Sequence, residues 1–191
     1  MVYHWNNKVG RLDVCPCQGS QFSMMGSPSY TISVEPLSAA AFAPFGDVAS
    51  RPTGERRRYL PTMLNRADEA QSFSFWISSA AALRRLPLRA TTLERHPYSA
   101  QTFVPLGSAR YLAVVCGADP GGEPDLTTLR GFVAGPEHIV TYARNVWHHP
   151  MTVLDAPMEF AVAMGVTGRQ DDDVFFDLDA EVIVVMPAAA F

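Results

Sequence analysis

Glu94-Arg95-His96-Pro97-Tyr98-Ser99-Ala100-Gln101 and, further along, Asn145-Val146-Trp147-His148-His149-Pro150 are the stretches from which the fold of this chain is read. In the first, one residue separates Glu94 from His96 and four separate His96 from Gln101. Side chains alternate between the two faces of a strand, so positions 94 and 96 share a face. The second stretch brings His148 to a strand end. His149 faces the other way if both lie on that strand, which leaves it an outer or subunit-contact position. His138 is a further candidate among the five histidines. Groups spaced in this way converge inside a small β-barrel, and such convergence points to a small-molecule site rather than a macromolecular interface.

Outward from these stretches the chain reads as short strands. Ser29–Val34 alternates, as does Phe73–Ser78, and Leu86–Leu88 opens an extended run into Glu94 and His96. Thr102–Leu106 leads through Gly107 to the apolar strand 111–115. Strands are also expected at His138–Tyr142, Thr152–Leu154, Met158–Ala163 and Val182–Met186. Ser38 is an N-cap for the short helix Ala39–Phe42, which Pro44 and Gly46 end. Asp125 is read as the cap of a helical turn, Leu126–Arg130. Arg51–Arg58 is a solvated polar loop, and Gly117–Pro124 is turn-rich. Many short strands with few helices give an all-β class, a barrel or jelly roll. Residues 1–29 lack periodicity and are expected to be a loosely ordered extension, with Met24 or Met25 as alternative starts. Residues 30–191 then form a single domain.

Bulk properties narrow the function. With 191 residues, 48% hydrophobic and 18% charged, the sequence suits one packed core. Its net charge of −4 gives no electrostatic case for nucleic acid or for an anionic membrane. No apolar run reaches the roughly 20 residues of a membrane span, and no secretory signal is read at the N-terminus, so a cytoplasmic location is expected. Cys15 and Cys17, one residue apart, do not match a Cys-x-x-Cys motif. Cys116 reads as a small core residue.

The candidate site residues offer imidazole nitrogen from His96 and His148 and oxygen from Glu94 and Gln101. This mixture suits a borderline divalent ion such as nickel, zinc or manganese. Each residue also has a plainer reading: a hydrogen-bonded strand histidine, a rim carboxylate paired with Arg95, a glutamine satisfying backbone groups. Their joint spacing favours one site. Trp147 reads as a packing wall before a substrate platform.

The spacing resembles that of the cupins, in which His-x-His, three or four residues and Glu are followed by a glycine and, three residues later, a last histidine. Glu94, His96, Gln101, Asn145 and His148 stand at those positions. More specifically, Glu94-Arg95-His96-Pro97, Gln101-x-Phe103-x-Pro105-Leu106, Pro124-Asp125-Leu126-x-Thr128-Leu129-Arg130 and Val146-Trp147-His148-His149-Pro150 resemble the signature of the ureidoglycolate lyases. Pro36-Leu37-Ser38, Phe42 and Phe45-Gly46-Asp47-Val48 resemble that family's opening, and Asn65 falls near a characteristic asparagine. The resemblance spans roughly residues 32–165. It implies a cupin fold, a homodimer, and cleavage of (S)-ureidoglycolate to glyoxylate and urea in allantoin and purine catabolism, with nickel as the associated ion. His96, His148 and Glu94 are then the expected catalytic residues. Metal ligation is assigned to His96, Gln101, His148 and Glu94, and substrate contact to Gln101, Arg95, Arg144, Trp147 and His149.

Two departures from the family pattern accompany it. Met164-Gly165-Val166-Thr167 stands where Asp-Arg-Gly-Gly is usual, and Ile77-Ser78 where an arginine usually follows. Arginine forks bind carboxylates bidentately, so Arg95, Arg144 or the ion would have to anchor the substrate carboxylate. The alternatives are a non-catalytic cupin that binds a small carboxylic acid, or a different metal-dependent cupin enzyme.

Overall fold

Every position from Tyr111 to Cys116 is apolar because both faces of that strand are covered. Tyr111, Ala113 and Val115 join one buried cluster, while Leu112, Val114 and Cys116 join another. A continuous apolar run is what a strand between two packed layers requires. The computed structural model describes residues 29–82 and 87–186. The expected loose extension, with Cys15, Cys17, Met24 and Met25, lies outside the described residues except for Ser29. Residues 83–86 and 187–191 also lie outside them.

In chain order the elements are β1 (Ser29–Ser33), β2 (Glu35–Pro36), α1 (Ala39–Phe42), β3 (Gly46–Ser50), a 3₁₀ turn (Pro61–Leu64), β4 (Ser72–Ala80), β5 (Leu88–Arg95) and β6 (Gln101–Pro105). They continue with β7 (Tyr111–Ala118), β8 (Pro124–Ala134), β9 (His138–Tyr142), β10 (Trp147–His148), β11 (Thr152–Val153), β12 (Met158–Val166) and β13 (Val174–Val185). The expected all-β, cupin-like architecture is the one formed. One sheet runs β1-β13-β5-β10-β7-β8-β2, with β11 on β7; the other runs β3-β9-β6-β12-β4.

The first sheet closes on itself. β1 pairs with β13 and β2 pairs with β8, and only Val34 separates β1 from β2, so one segment supplies both ends of the strand order. Inside that ring lie Val34, Leu93, Val114, Trp147, Val182 and Val184, among others. A second, more aromatic core fills the space between the sheets. Phe42 and Phe132 meet edge to face there, as do Tyr111 and Phe160. Offset and edge contacts of this kind add about 0.5–1.5 kcal/mol each beyond area burial.

Local signals are honoured with one exception. Ser38 accepts from the Ala41 amide at 3.2 Å and caps α1 as expected. Residues 126–130, read from sequence as a helical turn, are instead part of β8. Leu126 and Leu129 have helical spacing, but the β7–β8 register slips between Val115 and Gly117, so both leucines reach the same core from a strand. Asp125 does use its carboxylate locally, accepting from the Thr127 amide at 3.0 Å without starting a helix. Pairing along the full length of β7 outweighs that local preference.

Gly46 opens β3 with φ of +146°, and a Cβ built there would sit 1.9 Å from the Thr141 carbonyl oxygen. Gly46→Ala should therefore cost about 2–5 kcal/mol, from backbone strain together with the forced separation of β3 from β9. Gly54, with nothing within 4 Å of its virtual Cβ, should accept alanine with little change. Urea midpoints of the two variants check the contrast. Equal midpoints would remove the close approach from the fold's requirements.

Candidate metal and substrate site

Glu94 and His148 are register partners across β5 and β10. β10 is only two residues long and lies between β5 and β7, so it holds His148 beside Glu94 while Trp147 faces the ring core. His96 follows the end of β5 on the face of Glu94. Its ring centroid is 5.1 Å from that of His148. The turn before β10 makes the approach. Asn145 has φ of 63°, a left-handed conformation that asparagine tolerates, and its amide donates to the His96 carbonyl at 3.1 Å. This accounts for an asparagine where the related pattern carries glycine.

The two rings are locked from behind. His148 Nδ1 is 2.9 Å from the Val146 carbonyl. His96 Nδ1 is 2.9 Å from Asp173 Oδ1 and 3.2 Å from the Asp172 carbonyl. Each Nδ1 is therefore the protonated donor, and each Nε2 presents a lone pair. Both Nε2 atoms are buried without a hydrogen-bond partner, as are Gln101 Oε1 and the Tyr142 hydroxyl. Among the described residues, only the Arg95 Nε joins these four as an unpartnered buried side-chain atom. Burying such an atom costs about 1–3 kcal/mol, so their clustering marks a place prepared for a ligand.

One donor of Glu94, His96 and His148 apiece lies within 4.8 Å of the other two. His148 Nε2 is 3.4 Å from Glu94 Oε1, and with Nδ1 carrying the proton, two lone pairs face one another. That arrangement calls for a cation between them. Ligand atoms bound at about 2.1 Å with tetrahedral angles stand roughly 3.4 Å apart, so the donor set and its spacing fit a divalent ion. The electrostatics agree. Burial pushes the His148 imidazole down and keeps it neutral. Burial acts upward on the Glu94 carboxyl, and positive charge at the His148 and His96 positions acts downward and prevails, so the carboxyl stays ionised where a cation stands beside it. For His96, burial acts downward, yet the Asp173 hydrogen bond and the Glu94 charge win and raise it.

Gln101 lies on β6 in register with Tyr142 on β9 and Met164 on β12. Its Nε2 contacts the Met164 sulfur at 3.8 Å, which leaves Oε1 as the free acceptor. The structure thus brings Glu94, His96 and His148 together, sets Gln101 in register with Tyr142, whose ring lies on His148, and adds two groups the sequence reading missed. Asp173 belongs to an aspartate run that reads as solvated surface, and only the return of the β12–β13 loop to His96 gives it a role. Tyr142 ends the apolar alternation Val140, Tyr142; it reads as core, and its ring indeed stacks on His148 at 4.2 Å and 16°.

The other expected residues stand apart. Arg95 lies over the Trp147 ring at 4.7 Å and donates to the Gly122 carbonyl at 2.9 Å, which also receives Trp147 Nε1 at 3.1 Å. Arg144 donates from Nε and Nη2 to the Pro97 carbonyl, each at 3.2 Å. His149 turns its Nδ1 to the Pro150 carbonyl at 2.8 Å. His138 accepts from the Gly135 amide at 3.1 Å and closes the β8–β9 turn. Of the positions that depart from the family pattern, Met164 lines the floor beside Gln101, and Ser78 accepts from Trp76 Nε1 at 3.0 Å.

Comparison with known proteins places this geometry. The ureidoglycolate lyase family model matches residues 29–184. A ureidoglycolate lyase of Burkholderia mallei is 37% identical over 149 residues, covering 73% of this chain and 85% of its own length. One from Stutzerimonas stutzeri is 36% identical over 165 residues, covering 81% and 95%. Among solved structures, a dTDP sugar isomerase of Desulfovibrio desulfuricans matches at 16% identity with a TM-score of 0.41, over 68% of this chain and 80% of that one. A family match over nearly all described residues, on a fold that sets Glu94 and His96 of one motif beside His148 of the other, means that the chain belongs to the ureidoglycolate lyase family.

Proposed function

We propose that this protein cleaves (S)-ureidoglycolate to glyoxylate and urea, and that Glu94, His96 and His148 hold a divalent metal ion, nickel by family resemblance. The observation that carries the reading is the convergence of two unpartnered imidazole nitrogens on an ionised carboxylate. Membership of the family supplies the substrate. Its place in purine catabolism rests on the same resemblance.

Ureidoglycolate carries hydroxyl, carboxylate and urea nitrogen on one carbon. Its cleavage breaks the O–H bond, makes the C=O bond, breaks the C–N bond and returns the proton to nitrogen, with no net redox change. A bound divalent ion supplies Lewis acidity, lowering the pKa of a hydroxyl set against it. Glu94, held ionised and partly open to solvent, is the proton acceptor within reach, and the same carboxyl then donates to the departing nitrogen. Gln101 Oε1 faces the cavity as an acceptor for urea N–H groups. His96 and His148 stay fixed at the tautomer their backs impose. Arg95 and Arg144 are engaged with backbone carbonyls, so the substrate carboxylate falls to the ion. In this reading Arg95 and Trp147 support the strand beneath the site, and Arg144 pins the Pro97 turn.

Glyoxylate release from ureidoglycolate, with and without added nickel, tests the assignment. His96→Ala and His148→Ala should each lose roughly 10²-fold or more in kcat/KM, whereas His138→Ala should stay near wild type. Full activity in either site variant would take that imidazole out of the mechanism.

Metal loading should depend on pH with a predictable sign. A proton on His96 Nε2 competes with the ion, and Asp173 raises that imidazole, so loading should fall as pH drops and His96 takes up its proton. Asp173→Asn removes the main cause of the upward shift. It should move the loading edge to lower pH while weakening binding at pH 8 by roughly 10–100-fold. Chelator competition with nickel or zinc between pH 5.5 and 8 reads both effects, and an unmoved edge contradicts the Asp173 coupling.

The homodimer is assigned to the β4 edge. β4 ends its sheet, carries no charge, and exposes Phe73 (48%), Phe75 (63%) and Ile77 (53%) on one face. An uncharged apolar edge needs covering, and a second copy related by a two-fold axis offers the same strand in return. Phe75→Lys should convert a dimer to a folded monomer in analytical ultracentrifugation. A wild-type monomer at micromolar concentration would refute the assignment.

A further inference from the structure

The metal ligands leave two of the four clustered unpartnered atoms unexplained: Gln101 Oε1 and the Tyr142 hydroxyl. Tyr142 is 1% exposed. Its ring is held on three sides, flat on His148 at 4.2 Å and tilted against Phe42 at 5.9 Å and Phe103 at 5.8 Å. Packing of that kind needs only a phenylalanine. A hydroxyl buried at the end of such a ring without a partner costs about 1–3 kcal/mol, so its retention points to a partner that the protein itself does not supply.

We propose that Tyr142 is a substrate-contacting residue whose phenol O–H donates a hydrogen bond to the oxygen on the reacting carbon of ureidoglycolate. The inference rests on the functional reading above and deepens it. Three observations place the donor. The ring is stacked on His148, whose Nε2 faces Glu94, so the phenol is set relative to the group that takes the hydroxyl proton. Tyr142 and Gln101 are register partners on β9 and β6, and both turn toward the interior between the sheets. The Gln101 amide nitrogen is occupied by the Met164 sulfur. The floor therefore presents one fixed acceptor, Oε1, and one fixed hydroxyl donor.

Those two neutral groups match the two ends of the bond being broken. Gln101 reads the urea N–H groups and Tyr142 reads the hydroxyl oxygen. As that oxygen loses its proton, negative charge develops on it before the C=O bond is complete. A pre-positioned donor in a buried site stabilises that charge more than it stabilises the neutral hydroxyl. The contribution should then appear in kcat rather than in KM.

Tyr142→Phe keeps the ring and removes only the donor. With ureidoglycolate as substrate and the metal-loaded enzyme, kcat should fall roughly 10²-fold while KM changes little. Thermal stability should be unchanged or slightly higher, since an unpartnered hydroxyl is removed. A kcat within twofold of wild type, with the fold intact, overturns the proposal and shows the ring to be packing. If the wild-type protein does not cleave ureidoglycolate, the functional reading fails on its own account. Calorimetric titration with glyoxylate then decides for Tyr142. Binding weakened tenfold or more in Tyr142→Phe supports the contact, and equal affinity, or no binding by either protein, rejects it. Should Tyr142→Phe fail to fold, 3-fluorotyrosine placed at position 142 keeps the ring and the donor while acidifying the phenol: a kcat changed twofold or more supports the contact, and an unchanged kcat rejects it.

Discussion

Two lone pairs facing each other in a buried space are the constraint on which this site depends. His148 Nε2 and Glu94 Oε1 are 3.4 Å apart, and the Val146 carbonyl has already claimed the proton of the imidazole. In an aqueous setting water would separate them. Between the two sheets, beside the stacked Tyr142 ring, the arrangement is costly unless a cation joins it. The rest of the fold serves to hold that costly pairing in place. A two-residue strand locks His148 into register with Glu94, a left-handed Asn145 turns the chain into that strand, and the β12–β13 loop returns Asp173 to the back of His96.

The electrostatic arrangement follows from the same geometry. His96 and His148 have the same chemistry and lie side by side, yet burial prevails over the opposing Glu94 contact at His148, while Asp173 and Glu94 together prevail over burial at His96. The carboxylate behind His96 does what outer groups at metal sites commonly do: it fixes the tautomer and raises the basicity of the ring. Divergent environments for two identical groups let one site hold a neutral ligand and a more basic one without different residue types.

Much of this was legible in the sequence, for identifiable reasons. Alternation in Glu94-Arg95-His96 placed two donors on one face, as found, whereas Arg95, expected at the substrate, lies over Trp147 and donates to the Gly122 carbonyl. The run 111–116 read as buried, and the Ser38 cap was found where its spacing put it. What escaped depended on tertiary return. Leu126 and Leu129 mimic a helical period because a register slip in a strand gives two like-facing residues at that spacing. Asp173 lies in an acidic run whose local pattern says only that it is solvated. Tyr142 reads correctly as core, and nothing local says that its hydroxyl lacks a partner. Arg144 read as a substrate contact because it could stand in for the family arginines this chain lacks, yet its fork is turned to the Pro97 carbonyl.

The positions that depart from the family pattern bear on how the carboxylate of a substrate is held. The thioether of Met164 acts locally: it contacts the Gln101 nitrogen and thereby orients the oxygen. Ser78 receives the Trp76 indole, which keeps that ring packed against the core between the sheets. Neither change introduces a charge into the cavity. Arg95 and Arg144 are turned to backbone carbonyls, so in the proposed reaction a cation held by the histidines would offset the Glu94 charge that an entering anion meets. Metal and substrate affinity are coupled by that requirement: without the cation, Glu94 would repel the very carboxylate that the reaction must admit.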